Sequence, residues 1–163
     1  MRYVIVSDSH GYHTYLDEII YSMGHVDGMF HLGDVEERET DIEAQIDCPL
    51  YIVCGNNDSE LFLPREREVF VGEHKIFMTH GHYYHVYYGV KELVSEAKKR
   101  GCDIAMFGHT HSPFCQVVDG VLLLNPGSVT FPRNPERRPT YMMMEVPEKG
   151  QVKVSLRYAD ESL

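Results

Sequence analysis

The sequence predicts an α/β layered fold in which two packed β-sheets are flanked by helices, an α/β/β/α sandwich. Three observations carry this reading. Strand-like and helix-like segments alternate through the first part of the chain, the last third is almost wholly β-like, and clusters of Asp, Asn and His recur where hydrophobic runs stop. With 163 residues and no repeats or long linker, the chain is expected to form one domain spanning 1–163.

The elements follow in order. "RYVIVSD" carries four apolar residues without alternation, the mark of a strand buried on both faces. From Thr14, the residues Leu16, Ile19, Ile20 and Met23 fall on one helical face, and Gly24 ends the pattern. "GMFHLGD" reads as a short strand, Glu37 to Gln45 as a weak helix, and "LYIVCGNND" as a third strand entering a loop. "REREVFVGEHKIFMTHG" reads as two strands around a turn at Gly72 and Glu73. Val86, Val90, Leu93, Val94 and Ala97 mark an amphipathic helix closing at Gly101. "DIAMFGH" is a further buried strand, and three β segments follow, with Asp119-Gly120 as a hairpin turn.

Composition narrows the function classes. The net charge of −10 disfavours general binding to duplex nucleic acid, and the basic residues cluster only at Lys98 to Arg100 and around Arg133, Arg137 and Arg138. No apolar run approaches the roughly 20 residues of a membrane-spanning helix, so no membrane role is expected. "MRYVIVSDSHG" meets charge too early for a signal peptide, which predicts a cytoplasmic protein. Cys48, Cys54, Cys102 and Cys115 form no C-x-x-C pair and read as reduced, mostly buried residues. Oligomeric state stays open, although exposed β edges are compatible with a homo-oligomer.

The polar clusters sit at predicted strand ends, where α/β sheets place their sites. They are Asp8 and His10 in "SDSHG", Asp34 in "LGD", Asn56, Asn57 and Asp58 in "GNND", His80 and His82 in "THGH", and His109 and His111 in "GHTH". "NPGS", Asn125 to Ser128, ends another strand. In extended backbone, residues i and i+2 project to one side, so Asp8 with His10 and His109 with His111 can each aim two groups into one space. Carboxylate, carboxamide and imidazole without thiolate suit manganese, iron, zinc or a similar dication rather than a structural zinc cage. Each motif alone is equally a turn, but the ordered series is hard to obtain by coincidence. Asp34, central in the list, is the candidate to bridge two ions.

Taken in order, "DSH", "GD", "GNND", "THGH" and "GHTH" resemble the motifs of the calcineurin-like metallophosphoesterase family over nearly the whole chain. The length and "NPGS" resemble its small YfcE-type phosphodiesterase branch. The resemblance implies a hydrolase with two divalent ions, manganese first and nickel, iron, zinc, cobalt or magnesium as alternatives. By motif position, Asp8, His10 and His111 would hold one ion, Asn56, His80 and His109 the other, with Asp34 shared between them. It also implies a phosphodiester or phosphomonoester substrate. An activated hydroxide would attack phosphorus in line, with the ions about 3.5–4 Å apart. Two dications and two ligand carboxylates would leave the centre near about +2, enough to attract phosphate to an acidic chain.

Asp34, Asn56, Asn57 and His109 are thereby the expected catalytic positions, and Asn57, His82 and Arg133 the expected substrate contacts. Asn57 departs from the family pattern, which often has histidine there. A carboxamide donates a hydrogen bond but cannot act as a general acid, so good leaving groups are expected to react best. The same fold also serves as a protein-binding module in a related retromer subunit, which keeps a non-catalytic interaction scaffold as the alternative.

Overall fold

The computed structural model describes residues 1–37, 39–59 and 62–161. Its strands are β1 (Arg2–Val6), β2 (Gly28–His31), β3 (Leu50–Ile52), β4 (Glu66–Val71), β5 (His74–Thr79), β6 (Ile104–Met106), β7 (Phe114–Val118), β8 (Val121–Asn125), β9 (Thr140–Glu145) and β10 (Lys153–Tyr158). Its helices are α1 (Thr14–Ser22), α2 (Glu39–Glu43) and α3 (Lys91–Lys99). One sheet has the order β10-β9-β1-β2-β3, and the other β4-β5-β6-β8-β7. Both are mixed: β1-β2-β3 and β5-β6-β8 are parallel, and the outer pairings are antiparallel.

Alternation along the strands builds three apolar layers. Tyr3 and Ile5 of β1, Met142 and Met144 of β9, and Ile76 and Met78 of β5 meet in the core between the sheets. Their neighbours Val4, Val6 and Met143 face the other way, onto Leu16 and Ile19 of α1 and Ile42 of α2. Phe77 of β5 and Leu123 of β8 turn outward onto Leu93, Val94 and Ala97 of α3. The layers thus run helix, sheet, sheet, helix, as expected. The run "YMMM" is explained by its place: β9 is buried on both faces, so alternation disappears from the sequence.

Two elements are shorter than the sequence pattern implies. α2 covers Glu39–Glu43 of the expected Glu37-to-Gln45 helix, and Arg38 lies outside the described residues. α3 begins at Lys91. Val86 and Val90 pack in the same apolar layer but precede the helix, because His85 (φ 50°) and Gly89 (φ 132°) take left-handed backbone. A 3-10 turn, His82–Tyr84, fills part of that span. The cysteines are unpaired as expected, but only Cys102 is fully buried, and Cys115 is exposed because it lies on the outer strand β7. Among the described residues, no helix is long and apolar enough to cross a membrane.

The sheets' parallel strands all end on one side. There the chain leaves β1, β2, β3, β5 and β6 into the segments that carry Asp8, Asp34, Asn56, His80 and His109. The inter-sheet core beneath is dense: Phe30 is fully buried, with ring centroids 5.4 Å from Tyr3 and 5.0 Å from Tyr51. Phe30→Ala is expected to destabilise the fold by about 3–5 kcal/mol, measurable by urea unfolding.

Candidate metal centre

The site is built from tight loops whose backbone is itself unusual. Asp8, His10, Asp34, His109 and His111 all have φ between 51° and 67°. Left-handed backbone is uncommon outside glycine and clusters where surrounding structure enforces it. The expectation that each pair projects from extended backbone is therefore corrected: the side chains converge through left-handed turns. Glycine serves here by close approach. A Cβ on Gly108 would collide with Ser7 and Asp8, and one on Gly55 with Asp34.

Backbone and side-chain hydrogen bonds tie the loops together. Asp8 N–H donates to Gly33 O (3.0 Å), and His10 N–H to Asp34 O (2.9 Å). Ser7 Oγ donates to Asp8 Oδ2 (2.6 Å), and His109 N–H to the same oxygen (3.2 Å). Asp58 is buried and accepts from the N–H groups of Val35, Glu36 and Gly55, at 3.2, 2.8 and 2.8 Å. It thus orients the loop, joining the segments after β2 and β3. "NPGS" has a bracing role: Asn125 Nδ2 donates to Gly108 O (3.0 Å), and Ser128 Oγ to Asp8 O (2.8 Å).

The candidate ligand atoms of five residues converge. One set, from Asp8, His10, Asp34 and His111, lies within 4.8 Å of one another. His80 adjoins it, with Nε2 3.4 Å from Asp34 Oδ2 and 3.9 Å from Asp8 Oδ1. The His109 ring is 5.1 Å from that of His80. Asn56 is exposed, as is Asn57. Asn57 is turned onto Asp34: its N–H donates to Oδ1 (2.8 Å) and its Nδ2 to Oδ2 (2.7 Å).

Three histidines use Nδ1 for support. His10 Nδ1 donates to Glu36 Oε1 (2.7 Å), His80 Nδ1 to Leu32 O (2.6 Å), and His111 Nδ1 to Phe131 O (2.8 Å). In its neutral form each ring would then present a bare Nε2, a tautomer and orientation typical of metal-binding imidazole. Two of these, on His10 and His111, face each other at 3.4 Å. Asp8 Oδ1 lies 3.1 Å from His111 Nε2, yet neither it nor His80 Nε2 has a partner of hydrogen-bonding geometry, though both are buried. Acceptors crowded this way need a proton or a cation among them. The donor set therefore fits divalent ions.

Protonation follows the same crowding. Burial favours a neutral Asp34, but His80 and the two Asn57 donors outweigh it and hold the carboxyl well below the usual range. Burial likewise opposes ionised Asp8, and His111, His80 and Ser7 reverse it, leaving its pKa lowered. Burial disfavours charge on His80, yet Asp34 and Asp8 raise its proton affinity. Burial and the charge on His80 push His109 down to about 4.

The remaining expected contacts lie around this centre. His82, its ring 5.4 Å from that of His80, lines a cavity of about 880 Å³ with Asn56 and Cys54. Arg133 lines a different cavity, with Thr110 and Ser112, and is bonded to the Tyr87 hydroxyl. His85 is an exposed partner of Glu92. Sequence reasoning missed Glu36, Tyr87, whose hydroxyl donates to His109 O (3.0 Å), and His31. Only Glu36, two residues after Asp34, repeats the i, i+2 spacing of the recognised pairs.

His31 is wholly buried and joins two ligand loops. Its Nδ1 accepts from Gly33 N–H (3.3 Å), so its Nε2–H donates to Ser9 Oγ (3.0 Å). Burial lowers its pKa from 6.5 to about 4. The fold favours neutral His31, so its contribution is complete above pH 6.5 and is lost as pH falls towards 4, a change of about 3 kcal/mol. Urea unfolding of metal-free protein across that window should show a shallower pH dependence in His31→Gln; an unchanged slope contradicts this role.

Comparisons with known proteins agree with the geometry. The family model described as "Calcineurin-like phosphoesterase superfamily domain" matches residues 1–149. A relative from Bacillus subtilis, "Probable metallophosphoesterase YsnB", is 35% identical over 136 residues, covering 82% of this chain and 78% of its own length. A crystal structure of a predicted phosphoesterase from Streptococcus pneumoniae superposes with TM-score 0.85 at 30% identity, covering 98% of this chain and 90% of that one. Vps29 from Entamoeba histolytica, in complex with zinc, shares the fold with TM-score 0.77 at 23% identity, over 98% of this chain and 99% of its own.

Proposed function

Because the chain belongs to the calcineurin-like phosphoesterase superfamily, we propose that it is a metal-dependent phosphodiesterase with two divalent ions sharing Asp34. The carrying observation is the cluster of converging acceptors: three imidazoles tethered through Nδ1 turn Nε2 toward the Asp8 and Asp34 carboxylates and one another. Asp8, His10 and His111 would hold one ion, and Asn56, His80 and His109 the other. Manganese is our first choice, since oxygen and imidazole donors without thiolate accept it along with several other dications. Bound there, the ions supply concentrated positive charge that acidifies a water and draws in a phosphoryl group.

The chain's own residues do the rest. Glu36, Leu32 O and Phe131 O fix three imidazoles before anything binds, so little reorganisation is needed. Asn57 keeps Asp34 ionised and oriented. It offers no proton to a departing oxygen, so activated aryl diesters should be the best substrates. Diester rather than monoester is favoured by the open cavity beside Asn56 and His82, which has room for a second ester arm. The likeness to Vps29 supports the scaffold reading as the alternative.

Metal-stripped protein given manganese should hydrolyse bis(4-nitrophenyl) phosphate. Tight binding of two ions without turnover under any dication would favour the scaffold. Asp34→Asn should lower turnover by about 100-fold or more and weaken both ions, read by metal titration. Asn57→His removes the carboxamide bond to Asp34 but adds a titratable group. It should improve poor leaving groups relative to good ones; an unchanged ratio across a leaving-group series would contradict the role given to Asn57.

A further inference from the structure

We propose that the cavity beside the metal centre is a specificity pocket for the second arm of the substrate, and that Arg65 and Arg67 select an arm carrying its own negative charge, such as a second phosphate. The inference rests on the phosphoesterase reading for the identity of the reacting group, and on the pocket's own residues for its preference.

The pocket is continuous with the centre, since Gly55, Asn56 and His82 belong to its wall. Its volume, about 880 Å³, suits a substituent larger than a single phosphoryl group. Its charge is the reverse of the chain's. The protein has 25 acidic and 15 Lys and Arg residues, yet the lining includes Arg65, Arg67 and His82 and, among the described residues, no Asp or Glu.

The two arginines differ in pairing from Arg100 and Arg138, though not from Arg2, Arg133, Arg137 and Arg157, and only Arg65 and Arg67 line this pocket. Arg100 is bound by Glu66, Glu68 and Glu96, and Arg138 by Asp160 and Glu161. Among the described residues, no carboxylate lies within ion-pair distance of Arg65 or Arg67. Arg65 is exposed and stacks over the Tyr83 ring at 5.0 Å, which steadies its guanidinium while leaving its N–H edges free. Arg67 lies on β4 in phase with Val69 and Val71, whose side chains enter the inter-sheet core. It therefore emerges at the edge of that core. Guanidinium forks recognise phosphate oxygens by paired hydrogen bonds, and here two stand beside the proposed centre with, among the described residues, no acid to satisfy them.

The test compares adenosine 3′,5′-bisphosphate with adenosine 5′-monophosphate on manganese-loaded protein, by calorimetry and by competition against bis(4-nitrophenyl) phosphate hydrolysis. The bisphosphate should bind about tenfold or more tightly. In the double variant Arg65→Gln, Arg67→Gln the preference should fall below about twofold, and Arg65→Lys should keep part of it. Single Arg65→Gln provides the same reading should the double variant fold poorly. Equal affinities in the parent protein, or a preference surviving in the glutamine variants, overturns the proposal. Calorimetric preference without turnover keeps the pocket assignment and rejects the catalytic reading, so the two fail separately.

Discussion

The structure turns on a buried crowd of hydrogen-bond acceptors. Asp8 and Asp34 are nearly inaccessible, and the Nε2 atoms of His10, His80 and His111 point at them or at one another. Burying such groups without a shared positive charge is costly. The fold accepts this because each ring is anchored from behind through Nδ1 and each carboxylate has donors on its outer side. Asp34 and Asp8 raise the proton affinity of His80, as the same crowding requires. The arrangement is thus set up for cations before they arrive.

That cost is joined by a backbone one. Five of the candidate ligand positions take left-handed dihedrals in short loops at the strand ends. Nothing in the loops alone would hold them there. Asp58, Asn125 and Ser128 do so by capturing backbone groups of neighbouring loops, and His31 adds a fully buried link between them. The parallel strands beneath bring the loops to one edge. The rigid sandwich is therefore the means by which residues over 100 positions apart, such as Asp8 and His111, come within 3.1 Å.

Much of this was legible in the sequence. Unbroken apolar runs gave the buried strands, and the 3.6-residue period gave α1 and most of α3. The Asp and His clusters at strand ends were readable because glycine and paired polar residues interrupt strong hydrophobic signals. The left-handed geometry was not readable, since Asp-Ser-His and His-Thr-His fit extended backbone equally well. Val86 and Val90 mimicked helix because they pack on the layer that α3 covers. Asn57 was read by its chemistry as a substrate contact; its hydrogen bonds to Asp34 are set by a loop fold that local sequence does not encode. The support given by Glu36 and Tyr87 depends on tertiary contacts across 26 and 22 residues, beyond any local pattern.

The most direct measurement is the anomalous scattering of crystals soaked in manganese, with ligand distances read at each peak. Two peaks on either side of the Asp34 carboxylate are predicted, one within bonding distance of Asp8, His10 and His111 and the other of Asn56, His80 and His109. A single peak, or two that leave Asp34 uncoordinated, would contradict a shared two-ion centre.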